Sequence, residues 1–185
     1  LNVYTESFLK FVVDESLMES LHTEWFLSQS TKQERIAHLA NITSRRETQL
    51  NAKIQEIVDY ITSKNSQNNV VCLAGESAAG KSCVAEMLQK TLEGCGFDSV
   101  ILAMDNYYLP REKIPILPDG SMDFEGIEAL DIDDLQNDIT KLLNGEYILS
   151  KKYGFSGEAD KYVERVQLTG QKVVIVEGLN ALHSD

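Results

Sequence analysis

The eight residues Gly75-Glu76-Ser77-Ala78-Ala79-Gly80-Lys81-Ser82 satisfy the phosphate-binding pattern G-x-x-x-x-G-K-[ST], and few patterns of that length restrict a fold so tightly. The pattern has mechanical meaning only between a strand and a helix. Here Val70, Val71, Cys72, Leu73 and Ala74 make a short apolar, β-prone run before it. After it, Val84, Ala85, Met87, Leu88 and Leu92 recur at helical spacing over residues 82–93. In such a loop glycines let successive N–H groups turn inward on a polyphosphate, and the helix N-terminus adds the positive end of its dipole. Lys81 would bridge the β- and γ-phosphates and the Ser82 hydroxyl would ligate Mg²⁺. A chance Gly-rich turn is the competing explanation, and the flanking strand and helix weigh against it. Residues 75–82 are therefore the candidate nucleotide site.

Size and charge narrow the setting. A chain of 185 residues with 43% hydrophobic content suits one domain with an appendage, or two small ones. No apolar run approaches the roughly 20 residues needed to span a bilayer. The opening Leu1-Asn2-Val3-Tyr4-Thr5-Glu6 lacks a basic and then apolar leader. A cytoplasmic location is expected, and Leu1 is not expected to be the biological N-terminus. Formal charge is −12, with 7 basic and 9 acidic residues up to Asn69 against 10 and 20 thereafter. So acidic a surface repels phosphate backbones, which argues against nucleic acid and anionic membranes as partners. A nucleotide is still accommodated, because the loop supplies a local positive field and Mg²⁺ offsets ligand charge. Cys72, Cys83 and Cys95 show no C-x-x-C pair, so reduced core thiols are expected and structural zinc is not.

Before the loop, residues 1–69 read as a helical N-terminal extension. Phe8, Leu9, Val12, Val13, Leu17, Leu21, Trp25 and Phe26 suit one or two amphipathic helices. Ser30-Thr31 followed by Glu34 resembles a helix start with a capping-box Glu. Ile36, Leu39, Ala40, Leu50, Ile54, Ile57, Val58 and Ile61 then form an apolar stripe, and residues 63–69 are a polar linker. Such an extension is expected to pack on its own domain or on a sister subunit of a homo-oligomer. His22 and His38 have no ligand-spaced partners and are read as structural.

Beyond the loop, residues 99–104 read as a buried strand, directly followed by Asp105-Asn106-Tyr107-Tyr108. In open α/β sheets ligands sit beyond the carboxyl ends of strands, so Asp105 faces the same crevice as the loop. A carboxylate there can take a proton from an attacking hydroxyl or hold Mg²⁺ through water, or it can simply cap a turn. Residues 109–122, with Pro110, Pro115 and Pro118, read as an irregular loop. Asp131 opens a helix whose apolar face is Leu135, Ile139, Leu142 and Leu143. Residues 147–149, 152–155 and 162–168 look like short strands about a hairpin. The run Lys172-Val173-Val174-Ile175-Val176 is apolar enough to be buried on both faces, and Glu177-Gly178 follows it.

In order, these features resemble the uridine kinase and phosphoribulokinase branch of P-loop kinases over residues 70–182. GESAAGKS stands for that family's G-x-S-x-x-G-K-[ST], MDNYY for D-x-[FY]-Y and DFEGIEALD for F-D-x-P-x-A-[FL]-D. YGF stands for Y-D-F, and VVIVEGLNAL for the strand ending in E-G. The closest likeness is to uridine kinase-like proteins with an N-terminal extension. The resemblance implies a P-loop NTPase core over residues 70–185, a three-layer α/β/α fold with a parallel sheet, using ATP and Mg²⁺. It implies Asp105 as general base, Lys81 on the transferring phosphoryl, and Ser82 and Glu177 organising Mg²⁺. Phe124, Glu125, Tyr153 and Phe155 would line the acceptor pocket, with Tyr108 near it.

Departures from the pattern bear on the acceptor. Glu125 replaces the usual Asp, Ile127 a Pro, and Gly154 the Asp after the pocket Tyr. Glu158 stands where uridine and cytidine kinases carry a base-reading His, and a carboxylate cannot donate to a pyrimidine carbonyl. A small nucleoside-like acceptor is the first expectation. A non-nucleoside alcohol such as a sugar phosphate or a pantothenate-like acid is the second, and a nucleotide-binding module without transfer the third. Family members continue past the E-G strand into a lid carrying arginines, so the chain is expected to be C-terminally incomplete.

Overall fold

The structure, a computed structural model, describes residues 10–11, 31–64, 68–77, 79–154 and 161–182. In chain order the elements are β1 (Lys10–Phe11), α1 (Lys32–Ser63), β2 (Asn68–Ala74), α2 (Lys81–Gly94), β3 (Asp98–Ala103), α3 (Ile132–Leu143), β4 (Tyr147–Lys152), β5 (Lys161–Gln167) and β6 (Lys172–Gly178). The main sheet has the order β1-β2-β6-β3, with every pairing parallel. β4 and β5 form a separate antiparallel hairpin.

β6 is central because its apolar run can be covered from both sides. Alternate side chains point to opposite faces of a strand, and the sequence uses both. Val173 and Ile175 join Val71 and Leu73 against Val84, Ala85, Leu88 and Leu92 of α2 and Ile54, Ile57, Val58 and Ile61 of α1. Val174 and Val176 join Cys72 and Leu102 against Leu135, Ile139 and Leu142 of α3. The result is the expected three-layer α/β/α arrangement. Among the described residues no helix is long and apolar enough to cross a membrane.

α1 starts where the capping box foretells. The Glu34 N–H donates to Thr31 Oγ1 at 3.3 Å and the Thr31 N–H to Glu34 Oε2 at 2.7 Å, satisfying two N–H groups the helix cannot pair itself. The helix then runs unbroken for 32 residues. Along its apolar stripe Ile36 and Ala40 face solvent, Leu50 is half-buried, and Ile54, Ile57, Val58 and Ile61 enter the core.

Several sequence expectations shift. Lys10–Phe11 is a strand where a helix was expected, with Lys10 opposite Cys72 and Phe11 opposite Leu73; ladder bonds at the edge of β2 outweigh the local helical spacing. Residues 1–9 and 12–30, with His22, Trp25 and Phe26, lie outside the described residues. The linker expected at 63–69 is shorter, because α1 includes Ser63 and β2 begins at Asn68, where Asn68 and Asn69 pair with Lys172 and Val173. Strand pairing overrides the polarity of two asparagines. The cysteines also divide: Cys72 is buried, whereas Cys83 and Cys95 are exposed on and after α2. Burial pushes the Cys72 thiol up to about 11, so it stays protonated and unreactive.

Leu88 is wholly buried between α2 and the sheet. Leu88→Ala is expected to lower the unfolding free energy by about 2–5 kcal/mol. Urea denaturation with an unchanged slope and an earlier midpoint is the check; a loss below about 1 kcal/mol would contradict this packing.

Candidate active site

The register of β6 against its neighbours builds the site. Glu177 lies opposite both Leu73 of β2 and Ala103 of β3, so the carboxyl ends of three strands open at one level. Directly beyond β2 comes the Gly-rich loop, and directly beyond β3 a 3-10 turn, Met104–Tyr107, that carries Asp105.

Gly80 is the N-cap of α2 at φ 84°, a left-handed conformation that side-chain-bearing residues adopt only with strain. A Cβ there would meet nothing within 4 Å, so the demand is conformational and not steric. Among the described residues no side chain caps the start of α2, and its first-turn N–H groups are left for an anion. Lys81 folds back across its own loop, its Nζ donating to the Glu76 carbonyl at 2.8 Å. Glu76, Ser77, Ala79, Gly80 and Ser82 are exposed and Gly75 half-buried; Ala78 lies outside the described residues.

Across the crevice, Ser82 Oγ donates to Glu177 Oε1 at 2.9 Å, joining residues 95 apart in sequence. Glu177 is 9% exposed and lies inside β6, not after it as expected, because its backbone remains in the ladder with both neighbours. A hydroxyl and a largely buried carboxylate are the hard oxygen donors that Mg²⁺ takes in small number beside substrate phosphates. The residues present thus fit that ion. Among the described residues no group of three or more His, Cys, Asp or Glu is gathered for a metal.

Gly178, next along β6, fixes the Asp105 turn. A Cβ at Gly178 would sit 2.8 Å from the Met104 Cβ, and Met104 is buried. Only glycine lets the turn seat this closely, and Asp105 is left exposed at its top.

Of the residues expected along an acceptor pocket, Tyr108, Phe124 and Tyr153 come together. The Tyr108 ring stands edge-on to Phe124 and tilted to Tyr153, each centroid pair 5.2 Å apart. The Tyr108 hydroxyl donates to the Phe124 carbonyl at 2.7 Å, and the Tyr153 hydroxyl to the Leu109 carbonyl at 3.4 Å. Glu125 is exposed, and its carbonyl accepts from Asn180 Nδ2 at 2.9 Å. Phe155 and Glu158 lie outside the described residues. Tyr153 and Gly154 follow β4 and are not strand, as had been expected of them. The Tyr153 N–H instead donates to Asn106 Oδ1 at 3.4 Å.

Sequence reasoning passed over Asp123, Asn106 and Asn180. Asp123 Oδ1 accepts from the Glu125 and Gly126 N–H groups, an Asx turn that the spacing Asp123 to Gly126 could have announced. The two asparagines act across long sequence separations and leave no local signal. The expected irregular loop also has more order, with a 3-10 turn at Arg111–Lys113 and an antiparallel bridge between Ile116 and Met122.

Comparison with known proteins agrees with this layout. The model of the "Phosphoribulokinase / Uridine kinase family" matches residues 70–185. The chain belongs to the phosphoribulokinase and uridine kinase family. Among curated relatives, a uridine kinase of Vibrio campbellii is 29% identical over 119 residues, covering 63% of this chain and 55% of that protein. One from Staphylococcus epidermidis is 28% identical over 120 residues, covering 65% and 56%. The chain spans about half the length of these relatives. A solved structure of a possible uridine kinase from Bacillus stearothermophilus aligns at TM-score 0.55 and 21% identity, over 70% of this chain and 71% of that one. A putative fructose transport system kinase from Silicibacter aligns at TM-score 0.51 and 20% identity, over 70% and 62%. These neighbours share the fold of the family.

Burial, then the charge of Asp105, neighbouring Tyr153 and the acids Glu125 and Asp123, push the Tyr108 hydroxyl up to about 12. Tyr108 therefore stays neutral in the folded chain where an unfolded tyrosine, near 10, would ionise. The unfolded state then binds fewer protons than the folded one, so this site subtracts stability as pH rises from about 10 to 12. Tyr108→Phe is expected to flatten that part of the stability curve in denaturant titrations; an unchanged slope would contradict the placement of these acids around Tyr108.

Proposed function

We propose that residues 70–185 form the nucleotide-binding and catalytic core of an ATP-dependent phosphotransferase, one that moves the γ-phosphoryl to a hydroxyl of a small, nucleoside-like acceptor. The observation that carries this reading is the Ser82 to Glu177 hydrogen bond, which sets a loop hydroxyl against a strand-end acid, with Asp105 on the adjoining strand end. Family membership supports it, as do the names of the relatives.

The roles follow from position. The N–H groups of residues 75–82 and the start of α2 hold the phosphates, and Lys81 leaves the Glu76 carbonyl to pair with them. Ser82 and Glu177 would hold Mg²⁺, which when bound offsets charge on the phosphate oxygens. Asp105 takes the proton of the acceptor hydroxyl as that oxygen attacks. Tyr108, Phe124 and Tyr153 offer an apolar wall for the acceptor, with Glu125 at its edge. Positioning and electrostatics supply most of the acceleration in such a reaction.

Residues 1–69 act as an extension to this core. The burial of Ile54, Ile57, Val58 and Ile61 against α2 and the sheet supports packing on its own domain. A cytoplasmic setting and homo-oligomer assembly are compatible with the same reading.

Asp105→Asn in the full chain is expected to leave ATP binding intact and to lower phosphoryl transfer by about 10²-fold or more, the usual scale for a lost general base. ADP release measured over nucleosides, sugar phosphates and pantothenate-like acids is the check and also ranks acceptors. Undiminished turnover in the variant would remove Asp105 from the role, and activity on none of the nucleosides would remove the nucleoside-like acceptor.

A further inference from the structure

Beside the Asp105 turn lies a partly buried polar cluster that neither the nucleotide site nor the aromatic wall uses. The Tyr107 hydroxyl donates to Asp138 Oδ2 of α3 at 3.0 Å. Lys151, near the end of β4, pairs with Asp134 of α3 and brings its Nζ within 3.7 Å of Asp138 Oδ2. The same Nζ lies 4.6 Å from the centre of the Tyr107 ring. Tyr107 and Asp138 are 4% and 5% exposed.

Lys151 and Asp134 keep side-chain exposures of 14% and 39%, and ion pairs drawn partly out of water add little net stability, so the cluster acts chiefly by fixing direction. Burial, then the charge of Asp138, keeps the Tyr107 hydroxyl protonated, and it remains a donor to that carboxylate. Three elements are tied by this one group of side chains: the 3-10 turn, α3 and the hairpin.

The chain on either side gives the tie a purpose. Asp105 stands two residues before Tyr107, and Tyr108 directly follows it. Tyr153 stands two residues after Lys151, and its N–H reaches back to Asn106 Oδ1. Tyr107 points into the core beside α3 while Tyr108 joins the aromatic wall. A shift of the Tyr107 ring would therefore carry Asp105 and Tyr108 with it, and a displacement near 1 Å can cost about 10²-fold in a positioned reaction.

We infer that Tyr107, Asp138 and Lys151 are positioning residues, a largely buried brace that fixes the Asp105 turn relative to the Tyr153 end of the hairpin. The inference deepens the phosphotransferase reading and rests on it for the catalytic consequence. The three residues of the brace belong neither to the Gly-rich loop nor to the aromatic wall. Its loss changes transfer without changing nucleotide affinity.

The test compares Tyr107→Phe, which removes one hydroxyl, with Lys151→Met, which keeps the stem and removes the charge, and Lys151→Arg, which restores charge. All are made in the full chain. Amide hydrogen exchange should quicken at least ~5-fold over residues 104–109 and 147–154 in the first two variants and less than ~2-fold over residues 81–94, a local opening and not a global one. The Kd for Mg·ATP should stay within ~2-fold, while kcat with uridine as probe acceptor falls about 10-fold. Lys151→Arg should recover both. Unchanged exchange over residues 104–109, equal quickening across residues 81–94, or an Arg variant as impaired as the Met variant would each overturn the brace. Should the parent chain fail to phosphorylate uridine, that acceptor falls alone, and the exchange measurement still decides the brace.

Discussion

One hydrogen bond, from the Ser82 hydroxyl to the Glu177 carboxylate, is the contact on which the site depends. It forms because β6 lies between β2 and β3 in a register that lifts Glu177 to the height of both strand ends. A two-residue slip would draw the acid down into the sheet. A one-residue slip would turn it to the opposite face and reverse every apolar side chain of β6 with it. The four consecutive β-branched residues Val173, Val174, Ile175 and Val176, all buried, fix that register through packing on both faces. The hydrophobic core thus sets the geometry of the polar site above it.

The charge of the chain acquires meaning in this frame. A formal charge of −12 would repel a triphosphate at long range. Close in, the uncapped start of α2, the left-handed Gly80 and the Lys81 ammonium form an island of opposite sign. The two acids of the proposed chemistry stand at its rim: Glu177 reached by a hydroxyl, Asp105 on a solvent-facing turn. Away from it, acids do structural work, with Asp123 closing a turn and Asp138 receiving the Tyr107 hydroxyl.

Much of this was legible in the residues, and the limits have physical causes. The loop, its flanking strand and helix, the capping box at Thr31, the helix opened by Asp131 and the buried run of β6 are local patterns whose periodicity or spacing is complete within about fifteen residues. Asp131 does accept from the Asp134 N–H at 3.1 Å. What stayed hidden depends on contacts between distant segments. The strand at Lys10–Phe11 exists through pairing with β2, the extension of β2 to Asn68 through pairing with β6. The ties made by Asn106 and Asn180 span 47 and 55 residues, and Lys151 reaches Asp134 across 17. Gly178 was visible after the buried run, but its contact with Met104 was not.

The account stands or falls on whether Ser82 and Glu177 form a place for a divalent cation on a bound nucleotide. Isothermal titration of ATP with Mg²⁺ and with EDTA, for the parent chain and for Glu177→Gln, measures this directly. The arrangement predicts that Mg²⁺ strengthens ATP binding in the parent and that the Gln variant loses about 10-fold or more of that gain. Its affinity in EDTA should stay within ~2-fold of the parent, because the loop amides and Lys81 are untouched. A Gln variant that keeps the whole Mg²⁺ enhancement would contradict the account.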